Sequence, residues 1–551
     1  MKIKQLLILS ISVFFMACSC DKKEGQIVIS SQESIFNWNA ATVYFLLTDR
    51  FNNGDTSNDV VYNRTAETSK LRGFEGGDIQ GIIQKLDAGY FSDLGVDVIW
   101  FTPVVEQIHG FVDEGTGNTY GYHGYWAKDW TALDTTFGTE ADLSLLVSKA
   151  HAQGIRIMLD GVINHTGPVT EKDPVWPSDW VRTEPQCNYQ TYETTTACTL
   201  VKNLPDVLTE SDAVVELPKH LVEKWKQEGR YDQEVAELDA FFKRTGYPRA
   251  PRYYIIKWLT DYIREHGVDG YRADTVKHVS ETVWADFKTE CETSFQIWKT
   301  ANPTKVISED GFYLLGEVYN FNISQATAFD FGDKKVNYYD FGFDSMINFE
   351  FKYNAKDSYE ALFSRYSTIL NGELKGNSVL NYLNSHDDGS PFDQDRTNGF
   401  ESAIKLLLSP GMAQIYYGDE SNRPLKVDGA VGDANLRANM NWEAISSDKE
   451  IQEMLMHWQK IGKFRKNHPA IGAGVHQQVI SENYTFSRVF KEDKVVIALD
   501  VAKGIKTIDV GDVFIEGTIL NDAYSNQEVK VENGKVDVES EFTIVLLEKK
   551  R

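Results

Sequence analysis

Apolar positions in the middle of the chain follow a helix period and then, after a glycine, crowd into a short run. Leu143, Leu146, Val147 and Ala150 fall at i, i+3, i+4 and i+7, which puts them on one face of a helix. Thr139 and Asp142 are spaced as a capping box at its start, and Gly154 supplies the stop. The run from Ile155 to Ile163 follows at once and predicts a buried strand. The unit recurs. Ile82, Ile83, Leu86 and Tyr90 lead through Gly95 to a run from Val96 to Thr102, and Ile255, Leu259, Tyr262 and Ile263 lead through Gly267 to a run from Val268 to Ala273. Five more runs read as strands: Thr42 to Leu47, Tyr313 to Val318, Phe343 to Phe349, Val379 to Leu383 and Ala413 to Tyr417. Eight strands with intervening helices predict an α/β fold, a closed (β/α)8 TIM barrel.

Two regions break this rhythm. Between His165 and Arg252 no strong period is evident and Thr and Pro are frequent, so we read 166–252 as an inserted domain projecting over one barrel end. From about Gly472 the pattern becomes short alternating segments, such as Tyr484 to Phe490, Val495 to Leu499 and Phe542 to Leu547, which predict a C-terminal antiparallel β-sandwich over 471–551. The barrel is then 37–165 plus 253–470.

At the amino end, Lys2 and Lys4 precede an apolar run from Leu6 to Ala17, too short for the ~20 residues of a bilayer span. Residues 1–17 therefore read as an export signal. Phe15-Met16-Ala17-Cys18 resembles a bacterial lipobox with Cys18 as the acylated residue, followed by a polar tether over 18–36. Acylation at Cys20, or a plain secreted protein, are the alternatives. An exported, lipid-anchored protein is expected. In an oxidising compartment Cys187 and Cys198, which flank a short Thr-rich loop, are a candidate disulfide.

Composition narrows the partner. With 56 Lys+Arg against 81 Asp+Glu, the net charge of −25 argues against nucleic acid or an anionic membrane surface. The lipid anchor is the only membrane contact expected, and a monomer is expected. The 12% aromatic content serves a large core or stacks on sugar faces.

In a barrel of this kind chemistry sits at the carboxyl ends of the strands. Four predicted strand ends are polar: Asp160-Gly-Val-Ile-Asn164-His165, Gly270-Tyr-Arg272-Ala-Asp274, Gly316-Glu317-Val-Tyr319 and Asn384-Ser-His386-Asp387. Alternation along a strand points Arg272 and Asp274 the same way. A guanidinium beside a carboxylate favours its charged form and suits a nucleophile, whereas a carboxyl crowded by like charge suits a proton donor. We assign these roles to Asp274 and Glu317, with Asp387 as a third carboxylate. Any one of them could be a strand-end ion pair; all four segments together are poorly explained that way.

These segments resemble the signature regions of the α-amylase family, glycoside hydrolase family 13, and Leu204-Pro205-Asp206 resembles its additional signature. The likeness runs from about Asn37 to the carboxyl end, with the periplasmic α-amylases of Gram-negative bacteria as the nearest group. It implies Asp274 as nucleophile, Glu317 as general acid/base and Asp387 as the residue binding hydroxyls of the reacting sugar. It further implies substrate contacts from Tyr125, His165, Arg272, Lys277, His386, Asp433 and Arg437. The implied reaction is retaining hydrolysis of α-1,4-glucosidic bonds in an α-glucan. A pullulan or cyclodextrin hydrolase and a glucan transglycosylase share the same regions; a non-catalytic glycan-binding lipoprotein is disfavoured by the intact carboxylates.

Asn53-Gly-Asp55-Thr-Ser-Asn58-Asp59, with Gly76-Gly-Asp78 further on, offers hard oxygen ligands suited to Ca2+, or a solvated Asx-rich turn. The resemblance implies a calcium loop through Asn53, Asp55, Asn58, Asp59, the Gly76 carbonyl and Asp78. It implies a second calcium site through Asn164, Asp206 and the His278 carbonyl.

Overall fold

Eight strands, all parallel to their neighbours, close a barrel in chain order: β1 (Thr42–Leu46), β2 (Val98–Phe101), β3 (Arg156–Gly161), β4 (Gly270–Ala273), β5 (Tyr313–Gly316), β6 (Ser345–Asn348), β7 (Ser378–Tyr382) and β8 (Met412–Tyr416). The computed structural model describes residues 36–113 and 115–550. The predicted signal segment, the tether up to residue 35 and Cys18 lie outside them. Closure is made by β1, whose Thr42 pairs with Ala413 on one side and whose Val43 pairs with Val98 on the other. Every residue of these strands is buried, because helices cover the outer face and side chains fill the barrel.

The helix over Glu140–Ala152 carries the capping box: the Thr139 side chain accepts from Asp142 N, and Asp142 accepts from Thr139 N. Leu143, Leu146, Val147 and Ala150 are its buried face. The helix Pro251–His266 ends on Gly267 at φ +75°, where an added Cβ would meet the Trp298 ring at 2.0 Å. The predicted continuity through Tyr90 is corrected: the helix Ile79–Asp87 stops, Gly89 adopts φ +79°, and Tyr90 begins a separate turn over Tyr90–Asp93. The reason is polar, since the Tyr90 hydroxyl donates to buried Glu420 and the ring must turn inward to reach it.

The inserted region is more regular than expected. It contains helices Lys219–Gln227 and Tyr231–Thr245, which bury Leu221 with Trp225 and Leu238 with Phe241 and Phe242. These are i, i+4 and i, i+3, i+4 spacings on short faces, easily hidden among charged residues. Trp225 packs edge-on to Trp258 of the helix Pro251–His266, and Trp180 stacks over Trp258 at 6.1 Å. Trp100, Trp130, Trp180, Trp225, Trp258, Trp284 and Trp458 are all fully buried, so most tryptophan serves packing.

Beyond the barrel, a six-stranded antiparallel sheet packs against a two-stranded one made by Gly504–Asp509 and Lys535–Ser540. The central strand Asp493–Leu499 shows how the sheet is held. Val495, Ile497 and Leu499 join the barrel's core, while Val496 and Ala498 join the core between the two sheets. A strand buried on both faces must be apolar at consecutive positions, as this one is.

Candidate active site

Strand register brings the first pair together. Arg272 of β4 is the direct partner of Asp160 on β3, and its Nη1 lies 2.9 Å from Asp160 Oδ1. The same nitrogen donates to Asp274 Oδ1 at 2.6 Å, and Nη2 lies 3.3 Å from Glu317 Oε2. One guanidinium, with 1% of its side chain exposed, thus spans three carboxylates. Glu317 Oε2 also accepts from Thr275 N at 2.8 Å, which fixes that oxygen.

Charge is unevenly distributed across this group. Burial pushes the Glu317 carboxyl up to about 8; Arg272 opposes this, and the charges of Asp274 and Asp387 add to it. Burial likewise raises Asp160 to about 7 against Arg272. Asp387 behaves oppositely: burial works against its ionisation, but His386, Arg272 and Arg437 outweigh it and hold the carboxyl below its ordinary range. It keeps 37% of its side chain exposed, open to the mouth, with Ser385 Oγ donating to it at 3.1 Å.

Aromatic and basic groups ring the carboxylates. The Tyr125 hydroxyl donates to Asp160 Oδ2 at 2.8 Å, and its ring stacks at 5.2 Å on His386. His165 Nε2 lies 3.1 Å from the Tyr125 carbonyl, and burial lowers the pKa of His165, taking that of His386 to about 4. Arg437 Nε donates to the His386 carbonyl at 2.8 Å and its Nη1 pairs with Asp433 at 2.8 Å. A family model, the α-amylase catalytic domain, matches residues 45–474, which takes in all of these groups.

The chain belongs to the α-amylase family.

Within that family of glycoside hydrolases, the periplasmic α-amylase of Escherichia coli (strain K12) is 35% identical over 519 residues, covering 84% of this chain and 72% of the relative. A cyclomaltodextrin glucanotransferase of Thermoanaerobacterium thermosulfurigenes is 26% identical, with 91% of this chain and 64% of the relative covered. Among solved structures, an Anoxybacillus α-amylase superposes with a TM-score of 0.64 at 24% identity, covering 94% of this chain and 99% of that one, a likeness of fold.

Lys277, the remaining substrate candidate, donates to the Tyr319 carbonyl at 3.1 Å and sits 5.2 Å from the Tyr319 ring centroid. Two residues of this amylase-family site had no assigned role in the sequence reading. Asp160 opens one of the polar segments, but its pairing with Arg272 depends on strand register. Arg72 donates to Asp433 Oδ1 at 2.7 Å from more than 350 positions away, with no local signal.

The candidate metal ligands fall into two groups. At the first, Asn53 Nδ2 donates to Asp59 Oδ1 at 2.8 Å, and a Cβ on Gly76 would meet those same atoms at 2.4 and 2.7 Å, so these three converge. Asn58 Oδ1 is buried with no hydrogen-bond partner. Asp55 and Asp78 are otherwise engaged: Asp55 accepts from Ser57, and Asp78 caps the helix Ile79–Asp87 and accepts from Gly54 N and Asp55 N. At the second, a β-bridge between His165 and Asp206 brings the insert onto the end of β3. Asn164 Oδ1 and both carboxylate oxygens of Asp206 are buried without a hydrogen-bond partner, though Arg182 Nε stands 2.8 Å from Asp206 Oδ2. Burial raises Asp206 to about 8. Arg182 meets one of these oxygens, which leaves Asp206 Oδ1 and Asn164 Oδ1 as buried acceptors that a hard dication would satisfy. His278 Nδ1 lies 2.9 Å from the Thr195 carbonyl in the loop closed by the Cys187–Cys198 disulfide.

Proposed function

We propose that the protein hydrolyses α-1,4-glucosidic bonds of starch, glycogen or maltodextrins with retention of configuration. The observation that carries this is the single Arg272 guanidinium shared by Asp274 and Glu317, with Glu317 pushed up to about 8. At neutral pH Glu317 holds a proton to give to the glycosidic oxygen while Asp274, oriented by Arg272, attacks the anomeric carbon. Water then replaces the enzyme at that carbon, losing its proton to Glu317. Asp387, held ionised and open to the mouth, accepts sugar hydroxyls; Tyr125 supplies a ring face to the reacting sugar, beside His165 and His386. Asp433 and Arg437 line the same sugar, and Lys277 faces the leaving-group side.

Asn164, Asp206 and the His278 carbonyl hold Ca2+ in this reading, and the loop through Asn53, Asp55, Asn58, Asp59, Gly76 and Asp78 holds a second ion. Bound calcium supplies a fixed positive charge that ties the insert to the barrel. The export signal and acylation at Cys18 deliver the enzyme to a membrane from outside the cytoplasm. The C-terminal sheets cap the barrel, a role supported by the strand face they share with its core.

Proton NMR of the first-formed anomer from a maltooligosaccharide tests the mechanism. α-Anomer first, and loss of turnover in Asp274→Asn, are expected; β-anomer first removes Asp274 from the nucleophile role. Cyclic products from amylose would favour transglycosylation over hydrolysis.

A further inference from the structure

The residue after Asp387 has no part in the chemistry above, yet its carboxylate meets three partners at the barrel mouth. Asp388 Oδ2 accepts from the Lys352 ammonium and, at 2.5 Å, from the Tyr382 hydroxyl, while Oδ1 accepts from Ser390 N at 3.0 Å. Lys352 has 4% of its side chain exposed and Asp388 11%, so the pair is shielded from water, and a shielded charge pair holds its geometry far better than a surface one. The three partners come from different places. Lys352 sits in the turn Phe351–Asn354 that follows β6, Tyr382 ends β7, and Asp388 lies in the loop that follows β7. Asp387 itself accepts from Ser385 Oγ, with His386 Nδ1 at 3.8 Å and the charges of Arg272, Arg437 and Lys352 acting on it from further off.

We propose that Asp388, clamped by Lys352 and Tyr382, is a positioning residue that keeps the Asp387 carboxylate turned into the active site. The inference rests on the reading that Asp387 serves the reacting sugar. Asp388 follows Asp387 directly in the chain, so fixing Asp388 against the turn that carries Lys352 and the end of β7 restricts where the Asp387 backbone, and with it the carboxylate, can go. An aligned group misplaced by an ångström costs heavily in rate. The clamp also has an electrostatic consequence. The charged groups facing Glu317 are Arg272, Asp274, Asp387 and Lys277, with the Tyr319 and Tyr382 hydroxyls beyond. Asp387 is the one among them whose distance the clamp controls, and its charge favours the protonated form of Glu317.

The test uses the full-length protein and an aryl α-maltooligoside. Asp388→Asn should lower kcat about tenfold while moving KM less than about threefold, since ground-state binding is spread over many contacts. Its alkaline pH limb should move about half a unit to lower pH, because Glu317 loses a like charge. Lys352→Met should reproduce both effects and Lys352→Arg should restore both. Tyr382→Phe, which deletes one hydroxyl, carries the test if Asp388→Asn fails to fold. Wild-type kcat and pH limb in Asp388→Asn would overturn the inference, as would an activity loss that follows the folded fraction with the limb unmoved. If the wild-type protein is inactive, or Asp387→Asn is fully active, the underlying reading fails instead.

Discussion

Arg272 and Asp160 are direct partners across β4 and β3, and the guanidinium of one meets the carboxylate of the other at 2.9 Å with both side chains buried. Because Arg272 also reaches Asp274 and Glu317, Asp160 decides where that guanidinium sits. Asp160→Asn should therefore lower kcat by about 10²-fold or more, with a smaller change in KM. The loss of stability should be small beside the loss of rate, because Arg272 keeps Asp274 and Glu317 as partners and the buried Asp160 carboxyl already resists ionisation. Steady-state kinetics and urea unfolding check the two effects separately.

The pH profile should report Glu317. The proton donor must be protonated, so kcat/KM should fall as pH rises through about 8. Stability has a matching sign. A carboxyl whose folded value stands above its ordinary one binds its proton more tightly in the folded state, so its contribution is present at low pH and lost as pH rises between the two values. Glu317→Gln should accordingly melt higher than wild type at pH 8, and the gap should close below pH 4.

Calcium removal should act through Asp206. A chelator should lower the melting temperature and added Ca2+ should restore it, while Asp206→Asn should lose most of that response. Because metal binding needs the ionised carboxyl, and burial reinforced by Glu210 and opposed by Arg182 holds Asp206 near 8, calcium affinity should weaken as pH drops below 8, with protons released on binding. Calorimetry in buffers of different ionisation enthalpy measures that release. A melting temperature indifferent to both chelator and calcium would count against both sites.

His468 joins the barrel's last long helix to the terminal sheet, its Nδ1 at 2.7 Å from Asp493 and its Nε2 at 2.6 Å from Glu548. Burial alone would lower its pKa, but the two carboxylates outweigh that and raise it. A raised histidine contributes stability that is complete below its unfolded value near 6.5 and is lost as pH climbs through the folded one. His468→Gln should depress the melting temperature more at pH 6 than at pH 9; an equal depression at both would show that packing, not charge, is what the ring supplies.

What could be read along the chain was what repeats locally. The capping box of Thr139 and Asp142, the stop at Gly267 and the eight apolar runs depend on neighbours within a turn or two, so their spacing announced a closed parallel barrel with polar strand ends. The insert's helices were locally encoded too, in Leu238, Phe241 and Phe242, but a narrow apolar face among charges is a faint signal. The contacts that make a site out of those ends belong to the tertiary structure. Asp160 meets Arg272 across 112 positions, Arg72 meets Asp433 across 361, and Asp388 meets Lys352 across 36. Each depends on strand register and barrel closure, and a period of two says which face a residue takes without saying which partner stands opposite it.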